Sequence, residues 1–154
     1  MEITQLNLNS DKINNQKLTS IYAQFEELLE KIKQKKISEQ TINFINREID
    51  QANSTALRDT ALFKLLKDKQ NIIIKHLEKE YKIVPKNYYR NLWLAIGMTA
   101  FGLPIGTLFG IISGNMGLLA IGLPIGLGIG VAAGTSMDKK ALQEGRQLDI
   151  EIKY

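Results

Sequence analysis

Residues 91–137 form an unbroken run of 47 positions without one Asp, Glu, Lys, Arg or His. The run holds eleven of the twelve glycines and the only tryptophan. It also carries one pentapeptide twice, Gly102-Leu103-Pro104-Ile105-Gly106 and Gly122-Leu123-Pro124-Ile125-Gly126. Crossing a hydrocarbon layer takes about 20 apolar helical residues, so this run is long enough for two crossings and no more. The turn residues Ser113-Gly114-Asn115 divide it into spans 92–113 and 116–136. Each span rises roughly 32 Å at about 1.5 Å per residue. A pair of soluble core helices would keep a polar face, and neither span has one.

Charge placement predicts the orientation. Lys82, Lys86 and Arg90 precede the first span, Lys139, Lys140 and Arg146 follow the second, and the turn is uncharged. Basic residues stay on the cytoplasmic side, which puts both termini there. Tyr88, Tyr89 and Trp93, with Lys86, Arg90, Lys139 and Lys140, stand where residues of a membrane interface belong. The opening Met1-Glu2-Ile3-Thr4-Gln5 has neither a basic stretch nor an apolar run, so no cleavable signal peptide is expected.

Gly102, Gly106, Gly110 and Gly114 are spaced by four, as are Gly122, Gly126, Gly130 and Gly134. Four-residue spacing keeps them near one helical face, and a face without side chains lets another backbone approach closely. Two such faces suggest one used between the spans and one between copies, a homo-oligomer; the alternative is that both are used inside a single hairpin. Pro104 and Pro124 each remove a backbone donor near mid-span and press on the carbonyls of Ala100 and Ala120, predicting two hinges. With no ionisable group inside the run, packing kinks account for them better than a transport site does.

The charged residues lie in positions 1–90, with sixteen Lys/Arg and twelve Asp/Glu, and from 138 onward, with four of each. The mild basic excess near the apolar run fits lipid headgroups and not nucleic acid. Residues 1–9 alternate weakly, as an extended segment, and the tail 137–154 alternates at Leu148, Ile150, Ile152 and Tyr154. The two ends are therefore candidates to pair as strands. Residues 10–84 read as a bundle of three helices. The first is capped at Ser10 or Asp11, with a stripe Leu18, Ile21, Tyr22, Phe25, Leu28, Leu29 and Ile32. The second is capped at Ser38, with Ile37 and Ile42 as a hydrophobic staple and Ile45, Ile49 and Ala52 beyond. The third follows Asn53-Ser54-Thr55, with Leu57, Ala61, Leu62, Leu65, Leu66, Ile73, Leu77 and Tyr81. Residues 85–91 link it to the apolar run.

Reaction chemistry finds no anchor. His76 is the only histidine and there is no cysteine, so a zinc site lacks ligands. Glu26/Glu27 and Glu78/Glu80 sit on solvated faces, and the glycines lack the Lys and the preceding strand of a phosphate loop. No catalytic, cofactor-binding or metal residues are expected, and no enzyme.

The Leu-Trp-Leu-Ala opening at 92–95, the paired glycine runs and the close at Asp138-Lys139-Lys140 together resemble bacterial glycine-zipper membrane proteins, small members of which occur in Bacteroidetes. The likeness spans roughly residues 85–150. It implies a bacterial plasma-membrane location and close helix packing, and implies no activity. The fold expected is all-α: a cytoplasmic three-helix bundle on a transmembrane helical hairpin. The expected function is a non-enzymatic homo-oligomer, channel-like or scaffold, or else an anchor whose bundle recruits a soluble protein.

Overall fold

A computed structural model describes residues 2–8 and 15–154. It divides into two compact units, Met1–Pro85 with Leu148–Tyr154, and Lys86–Gln147. The described residues form five helices.

Three helices make the first unit. Helix α1 (Gln16–Lys33) starts where Asn15 Oδ1 accepts the Leu18 N–H at 2.9 Å; Ser10 and Asp11, expected to cap it, lie outside the described residues. Ser38 caps α2 (Glu39–Asn53), its Oγ accepting the Thr41 N–H at 3.3 Å. Helix α3 (Asp59–Tyr81) begins later than the Asn53-Ser54-Thr55 signal suggests. Leu57, assigned to its stripe, stands in the connection and is exposed, as is Ala61. The helix ends in a left-handed residue, Lys82 (φ 56°), with the Ile83 N–H reaching back to the Leu77 carbonyl at 3.3 Å.

The core joins Leu18, Ile21, Phe25, Leu28 and Ile32 of α1 to Ile45 and Ile49 of α2 and Leu62, Leu66, Ile73 and Leu77 of α3. Between Leu66 and Ile73 the buried face of α3 is polar. Lys69 pairs with Glu48 at 2.7 Å and also bonds Gln51. The fully buried Gln70 donates to the Ile21 carbonyl at 3.1 Å and accepts from Gln24 at 2.9 Å. Each buried polar group therefore has the partner that burial requires.

The chain ends do not pair as the alternation suggested. Strand β2 (Gln147–Glu151) pairs instead with β1 (Val84–Lys86), which precedes the apolar run. Leu148 and Ile150 bury on one side with Ile83 and Val84. Pro85 is tolerated because a two-stranded ribbon is all edge. Residues 2–8 form no strand, although Ile3, Leu6 and Leu8 are buried; Met1 and Asn9 of that segment lie outside the described residues.

The second unit is a hairpin of α4 (Tyr88–Ile112) and α5 (Met116–Gln143). Helix α4 starts before the expected residue 92, and α5 runs beyond residue 136 into charged sequence. Gly114, at φ +63°, makes the turn, and Gly145, at φ +68°, stops α5.

The glycine-lined interface of the apolar hairpin

Each helix of the hairpin presents glycine to the other. Gly97, Gly102, Gly106 and Gly110 of α4 are buried, and so are Gly122, Gly126, Gly130 and Gly134 of α5. A Cβ placed on Gly97, Gly106, Gly122, Gly126, Gly130 or Gly134 would come closer than 3.0 Å to the opposite helix. The atoms in the way are backbone: Gly97 O at 2.5 Å for Gly126, Arg90 Cα at 2.5 Å for Gly134, the Trp93 carbonyl for Gly130. At Gly102 and Gly110 the nearest atoms, Gly122 O and Met116 Sδ, are each at 3.1 Å. The axes thus approach as closely as backbones allow, which maximises dispersion contacts along the seam. Gly114 takes no part, with nothing within 4 Å of its missing Cβ.

Gly97 joins this face through a local change of helix. Residues Gly97–Gly102 form a π-helical turn, closed by the Leu103 N–H donating to the Met98 carbonyl five residues back. A five-residue step then returns to the same face, as a four-residue step does in an α-helix. The turn lies directly ahead of Pro104, which falls in the first turn of the regular helix that follows, where a missing N–H costs least. Pro124, in the identical pentapeptide, lies inside the regular helix of α5. The two prolines therefore occupy different backbone environments.

The open end of the hairpin is tied by a carboxylate. Asp138 is buried, and its Oδ1 and Oδ2 accept the backbone N–H groups of Tyr89 (3.1 Å) and Arg90 (2.9 Å). Asn87, at the cap position of α4, makes no side-chain cap bond. Asp138 thus caps α4 from the other helix and sets a negative charge at the positive end of its dipole.

No family model, curated protein or solved structure matches this chain.

The outer surface reverses the usual order of a helix pair. Leu108, Ile111 and Ile112 of α4 are 58%, 67% and 74% exposed, and Leu92, Phe101, Leu103 and Phe109 are also exposed. On α5 Met116, Ile121, Ile125 and Ile129 face outward. Both helices are long and apolar enough to cross a membrane. The hydroxyls of Thr99 and Thr107 bond carbonyls of their own helix, to Ala95 at 3.0 Å and to Leu103 at 2.8 Å. Of the expected interface residues, Lys86, Arg90, Lys139 and Lys140 are exposed and Tyr88 and Trp93 half-buried, whereas Tyr89 is buried edge-on to Tyr88. His76, in the other unit, stacks on Phe44 at 4.1 Å.

Sequence reasoning missed Gly97 and Asp138. Asp138 was legible, because it continues the series 122, 126, 130, 134 by one more step of four. Gly97 was not, because the spacing of five makes sense only with the π turn.

Proposed function

We propose that this protein is a non-enzymatic integral membrane anchor and adaptor. The hairpin crosses the bilayer twice, both ends of it on the cytoplasmic side, and holds the helical bundle there to engage a soluble protein. One observation carries the membrane part of this reading: glycine faces inward and the large apolar residues face outward. In water that arrangement forfeits the hydrophobic drive, since Leu and Ile stay wet while glycine has almost nothing to bury. In hydrocarbon it is favourable, because lipid solvates the outer side chains and close backbone packing joins the helices. The exposed bases Lys86, Arg90, Lys139 and Lys140 gather near the ends of the pair that carry the chain termini, which supports the cytoplasmic orientation. The resemblance to bacterial glycine-zipper proteins supports a bacterial plasma membrane. The anchor is favoured over an oligomeric pore because the buried glycines of both helices already meet each other within one hairpin.

The homo-oligomeric scaffold or pore keeps one observation in its favour. Gly128, Ala132 and Ser136 form an exposed small-residue line on the outside of α5, with nothing within 4 Å of Gly128. Native mass spectrometry in a mild detergent separates the two readings. The anchor predicts a monomer and no ion flux after reconstitution. A single stoichiometry of four or more, with flux, overturns it in favour of the pore.

A further inference from the structure

Residues 2–8 lie against α1 and α2 without joining a sheet. Their backbone is held by two asparagine side chains of α2. Asn46 accepts the Thr4 N–H at 2.8 Å and donates to the Glu2 carbonyl at 3.0 Å. Asn53 repeats the pattern with the Asn7 N–H at 2.7 Å and the Gln5 carbonyl at 3.1 Å. Each amide thus stands in for the peptide group of a neighbouring strand. The spacing is matched: seven helical residues advance about 10.5 Å, and three residues of a threefold extended chain about 9 Å. From α1, Tyr22 donates its hydroxyl to the Leu6 carbonyl at 2.8 Å. Only Ile3, Leu6 and Leu8 sink into the groove; Glu2, Thr4, Gln5 and Asn7 are exposed.

The hydrogen bonds read backbone and the buried side chains are three apolar anchors, so they suit any extended chain of that pattern. The segment also leaves space beside it. A cleft of about 350 Å³ lies along Leu6, lined by Glu26, Leu29 and Lys33 among others. At the Ile3 end, Glu2 shares a second cleft with Ile32, Ile37 and the lysines 33, 35 and 36.

We propose that this groove recognises an extended peptide of a soluble partner protein, carrying apolar residues at the spacing of Ile3, Leu6 and Leu8 and an acid at the place of Glu2. Residues 2–8 are then the intramolecular occupant that the partner displaces. The unfilled clefts argue for a foreign ligand: larger anchors gain contacts that the native segment leaves unmade. The proposal rests on the adaptor reading for the identity of the presenting protein. The groove is independent of the bilayer, so the test is run in detergent, where failure of the groove and failure of membrane insertion are separate results.

The probe is a fluorescent peptide of residues 1–8, followed by anisotropy against the full-length chain. In an Ile3→Asp/Leu6→Asp chain the native segment is expelled, and the peptide is expected to bind at least tenfold tighter than to the wild type. Adding Asn46→Ala/Asn53→Ala should reverse that gain. A peptide with its apolar residues each moved one position toward the N-terminus should not bind, because positions 2, 5 and 7 are the exposed ones. A version with Phe at the Leu6 position should outcompete the native peptide. No binding by a variant that keeps its helical circular dichroism overturns the proposal, as does binding that ignores Asn46 and Asn53. Should the double variant fail to fold, hydrogen exchange on the wild type decides: excess Phe peptide must deprotect the Thr4 and Asn7 amides, and their unchanged protection refutes the site. Concentration-dependent dimers dissolved by excess peptide would assign the groove to a second copy and overturn the soluble partner.

Discussion

The bundle and the hairpin solve helix packing in opposite ways. In the bundle the largest side chains face inward, Phe25, Leu28 and Ile32 against Ile45, Ile49 and Leu66, and charge covers the outside. In the hairpin the inward positions are glycine and the outward ones are Leu, Ile and Phe. On the membrane reading proposed above, both obey one rule, that the face matching the solvent goes out. For the bundle that solvent is water and apolar area supplies the drive. For a hairpin in lipid apolar area supplies no drive, and proximity of backbones replaces it.

The contrast makes opposite substitutions harmful in the two units. Removing volume should break the bundle: Phe25→Ala is expected to cost about 4 kcal/mol, read as a lower urea midpoint. Adding volume should break the hairpin: Gly126→Leu is expected to cost about 3 kcal/mol or more, since the obstructing atoms are backbone that no rotamer can move. Energy transfer between labels on α4 and α5 would report the opening. Gly128→Leu, on the outer face, is the matched control and should change that signal by less than about 0.5 kcal/mol. If both leucines behave alike, the hairpin does not pack by its glycines.

Asp138→Ala tests the tie at the open end. Two first-turn amides of α4 lose their acceptor, and the expected loss is about 2 kcal/mol, confined to faster hydrogen exchange at Tyr89 and Arg90. The smallest effect is alkaline. Partial burial of a ring that is still 51% exposed, and secondarily Asp68, pushes the Tyr154 phenol from 10.0 up to about 12. A raised folded pKa means the folded state holds the proton more firmly, so this contribution is intact below pH 10 and lost as pH climbs toward 12. Tyr154→Phe should flatten that part of the alkaline decline in bundle stability; an unchanged slope would remove Tyr154 from it.

How much was legible follows from which residues carry the pattern. Helix α1 could be read because six of its seven stripe positions are buried and apolar, with only Tyr22 half-exposed. Helix α3 was blurred because Lys69 and Gln70 occupy core positions, their cost met by Glu48, Gln51, Gln24 and a carbonyl that sequence cannot pair. Asn53 read as part of a break between helices and Asn46 carried no signal, and nothing local reveals that they hold a segment more than forty residues away. The turn of the hairpin and its four-spaced glycines were visible, since lack of charge and lack of side chains are composition; its outer ends were not, because both helices continue past the uncharged run. That both glycine runs face each other was one of two alternatives and needed coordinates. The unlike surroundings of Pro104 and Pro124 were hidden by an identical pentapeptide, because the π turn depends on what precedes it.

The central claim is that the hairpin lies across a bilayer, and sidedness tests it most directly. The chain has no cysteine, so a single cysteine at Ser113, in the turn, or at Gln34, in the bundle, can be labelled cleanly with a membrane-impermeant maleimide in intact bacterial cells without an outer membrane. The account predicts labelling of Ser113→Cys from outside, and of Gln34→Cys only after the membrane is opened. Equal access to both positions from the same side would contradict it.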